Sequence, residues 1–201
     1  MAIMNGRLRQ ECSSVKTDNK MGGKKVAKYL LGLGHIRIAH ISGPKHDFNA
    51  VERKMGFMEA LQEKGISLNP SYMKLGDWQI ESGHREAKQL LTLNERPTAI
   101  FCANDHMAVG AMQAVEEFGL QIPQDVSIVG FDNIEICSFV SPKLTTMEQS
   151  LDQMAIMAVQ EVLRQIREGT EAVNHTNLEP RFVARESCAP LGQSNVTSDL
   201  L

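Results

Sequence analysis

The sequence predicts an α/β fold in which helices flank a parallel sheet, and two observations carry that prediction. From residue 36 to residue 131, apolar and β-branched runs alternate with stretches of helical periodicity across short connections, the pattern of successive β-α units. Two of the runs, Thr98-Ala-Ile-Phe-Cys-Ala-Asn-Asp105 and Val126-Ser-Ile-Val-Gly-Phe-Asp-Asn133, stop at an amide-carboxylate pair. In an open α/β sheet the loops at the carboxyl ends of the strands form the ligand crevice, so short polar side chains there face whatever is bound. Asn and Asp are also the usual helix N-caps, and that plainer role would suffice for one isolated pair. Two pairs, with Arg53 and Trp78 at comparable positions on neighbouring units, favour a binding cleft.

The elements follow in order. Met21, Val26, Ala27, Leu30 and Leu31 recur at helical spacing between Asn19 and Leu33, with Gly32 and Gly34 as punctuation. Ile36 to Ser42 reads as a strand closed by Gly43-Pro44. Asn49 to Lys64 reads as a helix with Val51, Met55, Phe57, Met58 and Leu61 inward and Gly65 at its end. A strand at Tyr72 to Leu75, a loop at Gly76 to Gln79, a helix at Ile80 to Leu93 and a strand at Thr98 to Cys102 come next. Helix Met107 to Phe118 and strand Val126 to Phe131 complete the alternation. The rhythm then changes. An irregular stretch reaches Pro142, Lys143 to Met147 is extended, and a long helix from Leu151 to Arg167 carries Leu151, Met154, Ala155, Ala158, Val162, Leu163 and Ile166 as its apolar face. A strand at Pro180 to Arg185 precedes a polar tail, residues 189–201, which has too little apolar surface to offset its ordering entropy.

Composition narrows the function. The chain has 201 residues, 42% of them hydrophobic, which suits an ordinary globular core. Twenty-one Lys and Arg face 24 Asp and Glu, a formal charge of -3, so no field of one sign is available to hold a polyanion. Cys12, Cys102, Cys137 and Cys188 form no Cys-x-x-Cys pair, a usage that favours a reducing cytoplasm. No apolar run approaches the length of about 18 residues needed to span a bilayer, and no export signal is evident at the start. His35, His40 and His106 lack metal-ligand spacing and read as structural. Gly22-Gly23-Lys24-Lys25 lacks the order of a phosphate loop and reads as close helix packing.

Asp18-Asn19, Leu33-Gly34-His35, Ile41-Ser42-Gly43-Pro44, Arg53-x-x-Gly56-Phe57, Gly76-Asp77-Trp78, Ala103-Asn104-Asp105-x-Met107-Ala108, Ile122-Pro123-x-Asp125-Val126, Val129-Gly130-Phe131-Asp132-Asn133, Pro142-x-Leu144-Thr145-Thr146 and Arg185-x-Ser187 occur in that order. Together they resemble the effector-binding core of the lactose/galactose repressor family. The resemblance implies a periplasmic-binding-protein-like core of two α/β subdomains joined by three crossovers. It implies a partial first subdomain at residues 1–36 and 146–177, a complete second one at 37–145 and 178–188, and an N-terminally truncated chain. The helix-turn-helix that contacts operator DNA in full-length members has no counterpart in residues 1–20. Helices 19–33 and 151–167 are then expected to expose roughly several hundred Å² of apolar surface.

The same resemblance implies the ligand-binding residues Asp47, Asn49, Arg53, Trp78, Asn104, Asp132, Gln149 and Asp18, with no catalytic residue, metal or cofactor. Their chemistry is consistent with that role. An indole offers a flat apolar face to a pyranose or a purine, and a guanidinium offers a planar fork to vicinal hydroxyls or a carboxylate. Asn104 can donate and accept while Asp132 accepts only, so the two can orient neighbouring hydroxyls. Asp105 is assigned to capping the helix that follows it. The plainer roles are a lid contact for Trp78, a solvated helix position for Arg53 and a solvated turn for Asp47 and Asn49. The leading function is a sensor of a sugar or nucleoside-like metabolite in a cytoplasmic, homodimeric regulator that reaches operator DNA only in a full-length form. A periplasmic solute-binding protein shares the fold but would need an export signal. An enzyme using Asp132 and Asp105 as an acid-base pair lacks a nucleophile or metal beside them.

Overall fold

The computed structural model describes residues 2–4, 12–67, 69–170 and 172–192. Its elements are β1 (Ala2–Met4), β2 (Ser13–Thr17), α1 (Asn19–Gly32), β3 (Ile38–Ser42), α2 (Phe48–Glu63), β4 (Met73–Leu75) and α3 (Ile80–Leu91). Then follow β5 (Ala99–Cys102), α4 (Asp105–Glu117), β6 (Ser127–Val129), β7 (Thr146–Glu148), α5 (Leu151–Glu168), β8 (His175–Leu178) and β9 (Arg181–Val183). The strands form a parallel sheet in the order β4-β3-β5-β6, a second parallel sheet β1-β2-β8, and an antiparallel ribbon β7-β9.

The four-stranded sheet is covered on both faces, which explains why its strands are near-continuous apolar runs. Ala39, Ile41, Ile100, Cys102 and Ile128 point to one side and pack with Ala87 and Leu90 of α3 and Met107, Ala111 and Val115 of α4. Ile38, Ala99, Phe101 and Val129 point to the other, against Val26, Ala27 and Leu30 of α1 and Phe57, Ala60 and Leu61 of α2. His40 lies on that second face, fully buried and stacked on Phe101, with Nδ1 2.9 Å from the Phe101 carbonyl, so it is structural as expected. Burial pushes its pKa down to about 4.

Glycine brings the helices of each layer together. A Cβ on Gly23 of α1 would overlap the Arg53 backbone, and one on Gly56 of α2 would overlap Lys20. The Gly22-Gly23 pair is therefore the close-packing device its sequence suggested. Gly83 and Gly110 serve α3 and α4 in the same way.

Three expectations are corrected. First, α1 exposes little apolar surface, because Val26, Ala27 and Leu30 are fully buried on the four-stranded sheet; the grouping of residues 1–36 with the first lobe splits α1 from the layer it packs in. Second, α2 buries Ala50, Arg53, Phe57, Ala60 and Leu61, whereas Val51, Met55 and Met58 are exposed, since the face that carries Gly56 is turned to α1 and the sheet, where Phe57 and Leu61 join the core. Third, residues 189–192 are pinned. The Ala189 carbonyl lies 3.0 Å from His35 Nε2, and the Leu191 amide donates to the Leu33 carbonyl. Residues 193–201 lie outside the described residues.

On α5 only Met154 and Ala158 are buried, against Val15 of β2. Leu151, Ile156, Val159, Leu163 and Ile166 are 49% to 72% exposed. Toward its C-terminal half the side tied to the small sheet becomes polar: Glu161 accepts from Ser13 Oγ at 2.8 Å and is paired with Arg164, and Gln165 donates to the same hydroxyl. The exposure foreseen for this helix is present.

Candidate functional site

Arg53 is the centre of the site. It sits one turn into α2, where the close α1-α2 contact leaves it only 3% exposed, and its burial lowers its pKa. Nε donates to Asn19 Oδ1 at 2.8 Å, and Nη1 donates to the Ala103 carbonyl at 2.5 Å and reaches Asp132 Oδ1 at 3.0 Å. The guanidinium lies 3.7 Å from the centre of the Phe131 ring and 5.6 Å from that of Trp78, so it is stacked as well as paired. A buried guanidinium held this way keeps one orientation.

Asp132 follows β6 with φ of 118° and Asn133 with φ of 58°. Two consecutive left-handed residues that are not glycine are strained, and such strain persists only where the surroundings over-determine it. Gln149 donates to Asp132 Oδ1 at 2.6 Å. Burial raises the Asp132 pKa, with Arg53 and Gln149 pulling the other way. Trp78, with φ of 75°, lies over Gly43, where any Cβ would strike the indole. The Trp78 carbonyl accepts from Asn104 Nδ2 at 2.9 Å.

Arg53, Asp132, Gln149, Trp78 and Asn104 are thus linked directly and Asn49 through Asn19, while Asp18 and Asp47 make the cap contacts of their own helices; several have dual duties. Asn104 Oδ1 accepts from the Met107 amide and caps α4, Asp47 caps α2, and Asp18 caps α1. Asn49 accepts from Asn19 Nδ2 at 3.0 Å, and Gln149 accepts from Thr17 Oγ1 at 2.8 Å. The capping role assigned to Asp105 belongs to Asn104. Asp105 is instead fully buried, accepting from Thr146 Oγ1 at 2.5 Å and from the Ile134 amide at 2.9 Å, and burial pushes its pKa up to about 6. Asn19 and Phe131, the two groups that orient Arg53, were not among the site residues read from the sequence. Asn19 sat in a quoted motif, yet nothing at sequence level separates a buried bridging amide from a helix-start residue.

A guanidinium-carboxylate pair, amides and a flat indole at the carboxyl ends of parallel strands can bind and orient a hydroxylated or planar molecule. Among the described residues no group of three or more His, Cys, Asp or Glu is placed to hold a metal ion. This combination of fold and site defines the class: the small-molecule-binding core of periplasmic-binding type. A family model described as a periplasmic binding protein-like domain matches residues 27–188.

Solved structures narrow the class further. A LacI family transcriptional regulator from Enterococcus faecium with bound ribose is 30% identical, with a TM-score of 0.85, over 94% of this chain and 70% of that one. The regulator CelR in complex with cellobiose has a TM-score of 0.87 at 28% identity, over 92% of this chain and 58% of that one. An HTH-type transcriptional repressor, PurR, of Klebsiella pneumoniae (strain 342) is 37% identical over 191 residues, 94% of this chain. The chain belongs to the LacI/GalR family of transcriptional regulators, as an effector-binding core, and these relatives are regulators rather than enzymes. It spans 56% of the length of that repressor.

Proposed function

We propose that the chain is the ligand-sensing module of a transcriptional regulator, and that a sugar or nucleoside-like metabolite binds where Arg53, Trp78 and Asp132 meet. The observation that carries this reading is the buried Arg53–Asp132 pair at 3.0 Å beside the half-exposed Trp78. Asp132, Asn49 and Gln149 supply acceptors and donors for ring hydroxyls, Asp47, Asn104 and Asp18 line the edges, and the indole stacks on the apolar face of the ring. A bound molecule draws the two lobes together. In a full-length form that motion changes the spacing of paired operator-reading heads.

Two of the related structures hold ribose and cellobiose, which supports a sugar as ligand, and all three relatives are named as transcriptional regulators, which favours a regulator over a periplasmic solute carrier. A regulator of this kind works in the cytoplasm as a homodimer. Beside α4 a cavity of about 500 Å³ is lined by Val109, Met112 and Val140 together with the polar Gln113, Glu116 and Gln121, and Phe139 nearby in sequence is 74% exposed, a mixed surface that suits pairing. Among the described residues, no helix is long and apolar enough to cross a membrane.

Trp78 is the only tryptophan, so its fluorescence reads the site directly. Titration with ribose, cellobiose and a purine nucleoside, extended to a metabolite panel, is expected to give one saturating response. Asp132→Ala should weaken that binding by roughly 30-fold, the equivalent of about 2 kcal/mol, by leaving hydroxyls and Arg53 unpaired. A compound that binds tightly without moving Trp78 or sensing Asp132→Ala would place the site elsewhere.

A further inference from the structure

The chain passes between its two sheets three times, from β2 into α1 at Asp18, from β7 into α5 after Glu148, and from β8 into β9 after Leu178. All three passages converge on Asp132 and Asn133. At the first passage, Thr17 Oγ1 donates to Gln149 Oε1 at 2.8 Å, and Gln149 Nε2 donates to Asp132 Oδ1 at 2.6 Å. At the second, the Asp132 amide donates to the Met147 carbonyl at 2.7 Å, and Asn133 Nδ2 donates to Glu148 Oε1 at 3.2 Å. At the third, Arg181 of β9 pairs with Glu148, and past the end of β9 Arg185 Nη2 donates to Asn133 Oδ1 at 2.7 Å while Arg185 Nη1 holds the Leu144 carbonyl.

Nothing in the geometry makes Asn133 a ligand group, because its amide is committed at both ends, Oδ1 to Arg185 and Nδ2 to Glu148. Its backbone is in the left-handed region with φ of 58°, which asparagine tolerates better than other residues with a Cβ. Asp132 beside it has φ of 118°, a conformation that isolated residues of this kind avoid. The Ile134 amide is in turn anchored by Asp105 Oδ2 at 2.9 Å. The strained turn is thus clamped from both ends and from the side.

We propose that Asn133 is a positioning residue that ties the Asp132 carboxylate to the β7 and β9 passages, so that ligand contact at Asp132 and the relative placement of the lobes change together. This rests on the reading of Asp132 as a ligand group. The tie uses one hydrogen bond in each direction: a donor to the second passage and an acceptor for the third. Lobe movement bends these passages, so a side chain bonded to both senses it, and the left-handed turn transmits it to the neighbouring carboxylate.

Hydrogen exchange of the unliganded 201-residue protein tests the tie without any ligand. Asn133→Gly keeps the backbone conformation and removes both bonds. Amides of 146–148 and 181–183 should then exchange at least tenfold faster, with β3 and β5 unchanged. Asn133→Asp keeps the acceptor for Arg185 but sets a second carboxylate against Glu148; because β7 and β9 pair with each other, protection should fall at 146–148 and 181–183 together. No change in Asn133→Gly, full protection in Asn133→Asp, or faster exchange spread through β3 and β5 would each overturn the proposal. Failure here leaves the Trp78 titration free to succeed, and a silent Trp78 leaves this result standing.

Discussion

Asp105 and Asp132 both carry carboxylates at strand ends, and their surroundings divide the work between them. Asp132 is paired with Arg53 and stays partly exposed, whereas Asp105 is fully buried, held by the Thr146 hydroxyl and the Ile134 amide. With its pKa raised from 3.8 to about 6 by burial, Asp105 binds its proton more tightly in the folded chain than in the unfolded one. A raised acid favours folding while it is protonated, so its contribution is largest below about pH 4 and is lost as pH rises toward 6. Urea unfolding of the wild type and Asp105→Asn between pH 4 and 7 should show the stability difference shifting against the wild type across that window, by at most about 3 kcal/mol. A difference independent of pH would mean that Asp105 ionises as freely as an exposed carboxylate.

Helix α5 buries only part of its apolar surface. Met154 and Ala158 pack on Val15 of β2 and Glu161 and Gln165 are tied to Ser13, while Val159 and Leu163 remain 59% and 49% exposed. Exposed apolar side chains add little to the stability of this chain but offer a surface to hydrophobic probes. Replacing Val159 and Leu163 together by Lys should leave the unfolding free energy within about 0.5 kcal/mol per site while sharply reducing binding of a fluorescent apolar dye. A cooperative loss of structure instead would show that the stripe is covered in solution.

For the molecule as a whole, charge and architecture point away from nucleic acid as the direct ligand of these 201 residues. The formal charge is -3, and no single-signed field is available to neutralise phosphates. In a mobility-shift assay at low salt, this chain should give no discrete, salt-resistant complex with a palindromic duplex, and added ribose or nucleoside should not create one. A salt-resistant complex would require a base-reading surface that the geometry described above does not contain.

The β-α alternation and both strand-end pairs were legible in the sequence because each is a local signal: period, punctuation, or residue type at a strand terminus. Arg53 and Trp78 stood out through the family resemblance, since spacing alone reads Arg53 as a solvated helix position. Strands β2 and β8 were not legible. Ser13-Ser-Val-Lys-Thr17 and His175-Thr-Asn-Leu178 have no apolar alternation, and they are strands because they pair with each other in register, Ser14 with His175 and Thr17 with Leu178. The inward face of α2 was misjudged for a related reason, since burial there is decided by what the helix meets, the closely approaching α1 with its Gly23. The sequence by itself determined the layered α/β core and the chemistry gathered at its strand ends, because burial of periodic apolar residues needs little information beyond order. Only the tertiary structure decided which asparagine caps and which one bridges, that α1 packs with the four-stranded sheet, and that three passages meet at Asp132 and Asn133, because those assignments depend on contacts between residues far apart in the chain.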